Sequence, residues 1–324
     1  MKRAQEGKSI EHLAAISTML ECATSSDARE QMPNIVMTLL VRDNADIVAA
    51  NLDFHLAMGV DHVVVTDNAS ADETREIVRD YVGRGVATLI EEPADDYDQS
   101  AWVTRMARLA AQELAADWVI NSDVDEFWWP LEGDLKSVFS RVPAHYGRVS
   151  AQRSNFLPVR TAAGAFWRDM VWRYLVSRNG LGEVLPAKIA HRAAADVRVA
   201  EGNHAATSAI LGPVDPQERI VIFHFPYRSL AQYAAKIAKG GPAVENNRNV
   251  GPETFHVWRR HSELQRLGLL DDWYRGLVHA EDPQRAELAS KGEVVHDARL
   301  KTFMENLELG SSGRSARRIA GSEH

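Results

Sequence analysis

Asp123 and Asp125 stand one residue apart at the end of a short apolar run, in the stretch DWVINSDVDEFWWP from Asp117 to Pro130. Carboxylates at i and i+2 of an extended segment point to the same side. Left alone they repel, and one of them tends to keep its proton. A divalent cation removes that conflict, because Mg²⁺ or Mn²⁺ takes one or two protein carboxylates and completes its shell with water and phosphate oxygens. The spacing therefore predicts a metal that holds a diphosphate. A third acid, Glu126, follows directly, then Phe127, Trp128 and Trp129, with Pro130 expected to stop the strand.

The elements that must position these acids are legible upstream. NIVMTLLV (34–41) is an apolar run of strand length, and NADIVAANLDFHLAMG carries apolar residues at helical spacing up to Gly59. DHVVVTDNAS reads as a second strand buried on both faces. SADETREIVRDYVGRG opens with Ser70 and Glu73, the spacing of a capping box, and reads as a helix to Gly83. VATLIEEP, QSAWVTRMARLAAQELAA and DWVINSDVDEF continue as strand, helix and fourth strand. This alternation predicts a doubly wound α/β fold with a mostly parallel sheet, whose ligands sit beyond the carboxyl ends of the strands. Strand one ends in Arg42-Asp43-Asn44, strand two in Asp67-Asn68 and strand three in Glu91-Glu92, so these polar ends converge with Asp123 and Asp125.

After Phe139 the alternation stops. RVSAQRSNFLPV, DVRVAEGNHAAT and ERIVIFHFPY read as strands, SLAQYAAKIAKG and ETFHVWRRHSELQRLGLLDDWYRGL as helices, giving a mixed α+β second half. The chain has 324 residues, 45% hydrophobic, with net charge −8, which argues against a nucleic-acid binder. Cys22 is the lone cysteine and no apolar run reaches the length of a membrane span. A cytoplasmic location follows, with peripheral contact at the inner membrane face through the N-terminal helix or GRSARR as a further option.

The segments VRDNADIVAANLDFHLAMGVDHVVVTDNASADET and WVINSDVDEFW resemble the family 2 glycosyltransferases, in the bacterial branch whose acidic motif reads D-x-D-E-F. KIAHR, EGNH and HFPYRSLAQYAAKIAKGG extend the resemblance. It implies a glycosyltransferase-A fold, a nucleotide-diphosphate sugar donor (a UDP-sugar first), Mn²⁺ or Mg²⁺, and transfer with inversion to a glycan, lipid-linked or protein hydroxyl. The nucleoside pocket would be lined by Val41, Arg42 and Asp43, with Asp67 and Asn68 beside it. An Asx turn entering the next helix is the other use for Asp67-Asn68. Arg105 would face the nucleotide. Asp123 would hold the ribose, or the metal through water, and Asp125 would bind the metal directly. His224 or His204 would supply a further metal ligand, and Arg228 and Lys236 would partner the phosphates. Inversion needs a general base, for which Glu183 is preferred over Asp169. Trp128, Trp129, Trp167 and Trp172 serve packing first and sugar stacking second.

The implied organisation is an N-terminal extension, partly helical, over 1–32 and a nucleotide-sugar-binding half over 33–135. An acceptor and catalytic half of the same domain spans 136–245, a C-terminal helical region 246–309 and a disordered tail 310–324. Two competing readings remain: a non-catalytic nucleotide- or glycan-binding protein on this fold, and a nucleotidyltransferase. The second would want glycine after strand one, and LLVRDNAD has none.

Overall fold

A computed structural model describes residues 32–159, 165–179, 182–247, 251, 255–278 and 282–320. The chain divides into a unit of residues 1–33 and a unit from Asn34 to His324. The expected N-terminal helix lies outside the described residues, and everything below concerns the second unit.

The doubly wound half forms as the apolar runs dictate. Strands β1 (Ile35–Val41), β2 (His62–Asp67), β3 (Ala87–Glu91) and β4 (Trp118–Asp123) pair in parallel in the order β3-β2-β1-β4. Helices α1 (Val48–Ala57), α2 (Thr74–Gly83) and α3 (Gln99–Gln112) make the crossovers. Alternate residues of β1 enter opposite core layers, as a pleated strand requires. Ile35, Met37, Leu39 and Val41 join Leu52 and Phe54 of α1, whereas Val36 joins Val64 of β2, Val119 of β4 and Met106 of α3. Helix α2 starts at Thr74 rather than at the expected cap Ser70. Asp72 takes that role by accepting from the Thr74 amide at 3.0 Å, and Ser70 Oγ accepts from the Asp43 amide instead.

The strand expected through Phe127 is two strands. The chain turns at Val124-Asp125 and resumes as β5 (Glu126–Pro130), which pairs antiparallel with a distant strand. Local β propensity cannot show this break, because pairing partners set the register. The outer edge of β5 is covered by α1. Asn51 Nδ2 donates to the carbonyls of Val124 and Glu126, both at 2.9 Å, and the Trp128 amide donates to His55 Nε2 at 3.2 Å.

Helices α4 (Leu135–Ser140) and α5 (Phe166–Asp169) are short. Strands β6 (Arg148–Asn155), β7 (Trp172–Tyr174), β8 (Lys188–Arg192), β9 (Arg198–Val199), β10 (Ala206–Thr207), β11 (Val214–Asp215) and β12 (Ile220–His224) follow. The sheet continues past β4 as β8-β6-β12-β5, with β11 beside β6, so the second half adds the mixed strands its sequence predicts. Because β8 runs antiparallel to β4, its first residue, Lys188, lies at the end of the sheet where Asp123 emerges.

Helices α6 (Leu230–Asn246), α7 (His256–Arg266), α8 (Leu270–Leu277) and α9 (Asp282–Ser290) come next, then β13 (Val294–His296) against β7 and α10 (Arg299–Ala320). Gly240 makes the α6–α7 approach possible, since a Cβ there would lie 2.1 Å from the Trp258 ring. Helix α10 ends at Ala320. No helix of the described residues is long and apolar enough to cross a membrane.

Candidate active site

A cleft of about 430 Å³ opens over the ends of β1, β2, β4, β6, β8 and β12, and α6 and α7 wall its far side. Its floor is the turn after β4. Asp125 is 4% exposed there and Glu126 is fully enclosed. Lys188 and Lys236 balance these charges. Lys188 Nζ lies 2.5 Å from Asp123 Oδ2 and 3.1 Å from Glu126 Oε1, and Lys236 Nζ lies 3.1 Å from Asp125 Oδ2. Burial alone would raise both aspartates. Lys188 reverses this for Asp123, and Lys236 with His224 holds Asp125 well below the usual carboxylate range. Burial keeps Glu126 above its ordinary value, against the pull of Lys188.

The remaining oxygen of Asp123 accepts from Gln99 Nε2 at 3.1 Å and Asn203 Nδ2 at 3.2 Å. Both its oxygens are therefore engaged, and Asp123 is suited to water-mediated contact with a metal rather than direct ligation. Asp125 is arranged differently. Its Oδ1 faces His224 Nε2 at 3.6 Å, while His224 Nδ1 bonds Asn155 Oδ1 at 2.7 Å. An amide oxygen only accepts, so the proton sits on Nδ1 and Nε2 is turned to Asp125. A proton or a cation between them fills that gap. Among the described residues no three His, Cys, Asp or Glu side chains group as a metal cage. One carboxylate and one imidazole nevertheless fit Mn²⁺ or Mg²⁺, which leave most of their shell to water and phosphate.

The cleft wall beside β1 carries Val41, Arg42, Asp43 and Asn68. Arg42 NH1 donates to Asp95 Oδ1 at 2.8 Å and Asn68 Oδ1 at 3.3 Å. Lys239 Nζ meets Asp43 Oδ2 at 2.5 Å, and this contact with the Ala71 amide outweighs burial to lower Asp43. Asp43, Tyr97, Asn203 and Phe255 all have positive φ, between 44° and 60°. Left-handed backbone at non-glycine residues is costly and gathers where function demands a fixed geometry. His204 also lines the cleft, but its Nδ1 bonds the Ala187 carbonyl, and burial beside Lys188 lowers it to about 4.

Five expected residues are not brought to the cleft lining. Asp67 is fully buried and turned to Arg75, with 3.0 Å between Arg75 NH2 and Oδ2, which also accepts from the Ser70 amide. Arg105 lies on the outer face of α3, paired with Glu92 at 3.0 Å. Arg228 is buried against Asp46 at 2.7 Å and donates to the Phe225 carbonyl. Glu183 is exposed on a hairpin, where Asn179 Nδ2 donates to it at 2.8 Å. Asp169 ends α5 on the surface. Trp128 and Trp167 are core residues, as packing predicted.

Sequence reasoning missed Lys188, Gln99, Asn155, Tyr97 and Glu201. KIAHR and EGNH held two of them in plain view, without a local signal that their polar residues reach Asp123.

Residues 36–147 match the model of glycosyltransferase family 92. No curated protein matches. Solved structures with similar folds include TarS from S. aureus in complex with UDP, at 13% identity over 67% of each chain with a TM-score of 0.36. They also include glucosyl-3-phosphoglycerate synthase from Mycobacterium tuberculosis with Mn²⁺, UDP and phosphoglyceric acid, at 14% identity. That match covers 49% of this chain and 56% of the other, with a TM-score of 0.30. The family match supports an enzyme, and that enzyme is a glycosyltransferase.

Proposed function

We propose that the cleft binds a nucleotide-diphosphate sugar, a UDP-sugar first, and passes the sugar with inversion to the hydroxyl of a glycan, lipid-linked or protein acceptor. This is the family 2-like reading, with glycan or polysaccharide synthesis as its setting. The observation that carries it is the buried Asp125 facing His224 within a lining where Arg42, Arg153, Arg178, Lys188, Lys236 and Lys239 outnumber Asp43, Asp123, Asp125 and Glu201. A net cationic cleft in a chain of net charge −8 suits a diphosphate.

In this reading Val41, Arg42, Asp43 and Asn68 surround the nucleoside, and Lys236 and Lys239 approach the phosphates. Asp125 and His224 would hold Mn²⁺ or Mg²⁺, which would supply positive charge against the departing diphosphate. Asp123, fixed by Lys188, Gln99 and Asn203, would accept from a water held beside that metal. The test is thermal denaturation with UDP, GDP, CDP or dTDP, with and without Mn²⁺, on the wild type and on Asp125→Ala. Binding to the folded state raises the melting temperature. Stabilisation by one nucleotide that needs Mn²⁺ and is lost in the variant supports the reading. A shift indifferent to metal and to Asp125, or none at all, removes it.

A further inference from the structure

Glu201 lines the cleft on the short 3-10 turn Glu201–Asn203, and no contact described above gives it a task. Its Oε1 accepts from the Ser100 amide at 3.2 Å. Its Oε2 is enclosed and accepts a hydrogen bond from no described residue. An enclosed acceptor without a donor is costly, and such an atom in a native site asks for an explanation. Glu201 lines the cleft, so a turn of its carboxyl would bring this oxygen to a ligand's donor.

The turn fixes this carboxyl relative to the acidic motif. Gly202 has φ +67°, and a Cβ there would lie 2.6 Å from His204 Nε2, so the position requires glycine. The Gly202 amide donates to Gln99 Oε1 at 3.1 Å, and Gln99 in turn donates to Asp123. Asn203 donates to Asp123 directly. Gln99 and Asn203 thus tie the turn that follows Glu201 to the first acid of the motif.

Resting on the sugar-transfer reading, we propose that Glu201 is the general base that takes the proton from the attacking hydroxyl. The hydroxyl oxygen forms the bond to the anomeric carbon, and its proton passes to Oε2. The bond from that carbon to the diphosphate oxygen breaks, and its electron pair leaves on the diphosphate. Glu183 and Asp169 do not line the cleft, whereas Glu201 does.

Its environment suits the task. Burial pushes Glu201 up to about 7, with Asp98 adding to the rise and the Ser100 amide opposing it. A base is most effective when its pKa lies near the working pH. Tyr97 and Asp98 face it from the segment before α3, and Asp123 lies beyond Gln99 at the end of β4. On its own segment His204 stays neutral to about 4, beside Lys188 and Arg153. The Glu201 carboxylate prevails above about pH 7, so the rate should rise with pH through that value.

The test is hydrolysis of UDP-glucose, UDP-galactose and UDP-N-acetylglucosamine with Mn²⁺, water serving as the hydroxyl and UDP release as the readout. Glu201→Gln should lower kcat about 100-fold or more with the donor KM unchanged, and should abolish the rise near pH 7. Glu201→Asp, which keeps a carboxylate, should retain that rise at a reduced rate. A Gln variant within a few-fold of wild type, or one whose loss falls on KM with the pH profile intact, overturns the base assignment while leaving sugar transfer standing. Absence of turnover by the wild type on all three donors overturns the UDP-sugar reading and the base assignment that rests on it.

Discussion

At the scale of the residue, the site is a set of charges that cancel locally. Lys188 is 1% exposed and touches two acids, one of them fully enclosed. Removing one partner of a buried ion pair leaves the other uncompensated. Lys188→Met should therefore cost about 3 kcal/mol in urea unfolding, and Asp123→Asn introduced into that variant should recover part of the loss. A Lys188→Met protein as stable as wild type would contradict this balance. The acids themselves were legible, because D-x-D behind an apolar run is a local pattern. Lys188 was not, since its partners lie 65 and 62 residues away in sequence and only the antiparallel placement of β8 beside β4 unites them. Arg105 shows the converse. Its position on a helix was legible, but which face it occupies depended on Glu92.

At the scale of the element, the first half follows its sequence closely. Uniformly apolar runs buried on both faces leave little alternative to parallel strands. The break at Val124-Asp125 was hidden because Asp123 and Asp125, turn formers by type, stand between apolar and aromatic residues that read as one strand. Tertiary hydrogen bonds decide it. Asn51 of α1 serves the carbonyls on either side of Asp125 and so pins the turn that carries the acid. Asn51→Leu leaves both carbonyls buried without a donor and should cost about 2–4 kcal/mol in denaturant unfolding. The same variant should weaken Mn²⁺-dependent stabilisation by nucleotide. If it unfolds at the wild-type midpoint and binds equally well, α1 does not position Asp125.

At the scale of the whole molecule, a net anionic chain concentrates cationic side chains in one cleft, which separates the charge that keeps it dispersed from the charge that recruits a ligand. Acid sensitivity is built in elsewhere. Burial lowers both His55 and His191 to about 4 from an ordinary 6.5. The folded state keeps each neutral while the unfolded chain takes up a proton near 6.5, so stability is complete above that pH and declines as pH falls toward 4. Each histidine contributes about 3 kcal/mol to the decline. Urea midpoints should begin to fall between pH 6.5 and 5, before ordinary carboxylates titrate, and a flat profile across that window would contradict neutral buried histidines.

The most direct measurement of the central claim is NMR of UDP-sugars incubated with the protein, with and without Mn²⁺, beside Asp125→Ala and His224→Ala. Wild type with metal should give UDP and a sugar product of inverted anomeric configuration, with at most traces without metal or with either variant. UDP release that is equal in all four cases, or a product of retained configuration, would contradict that claim.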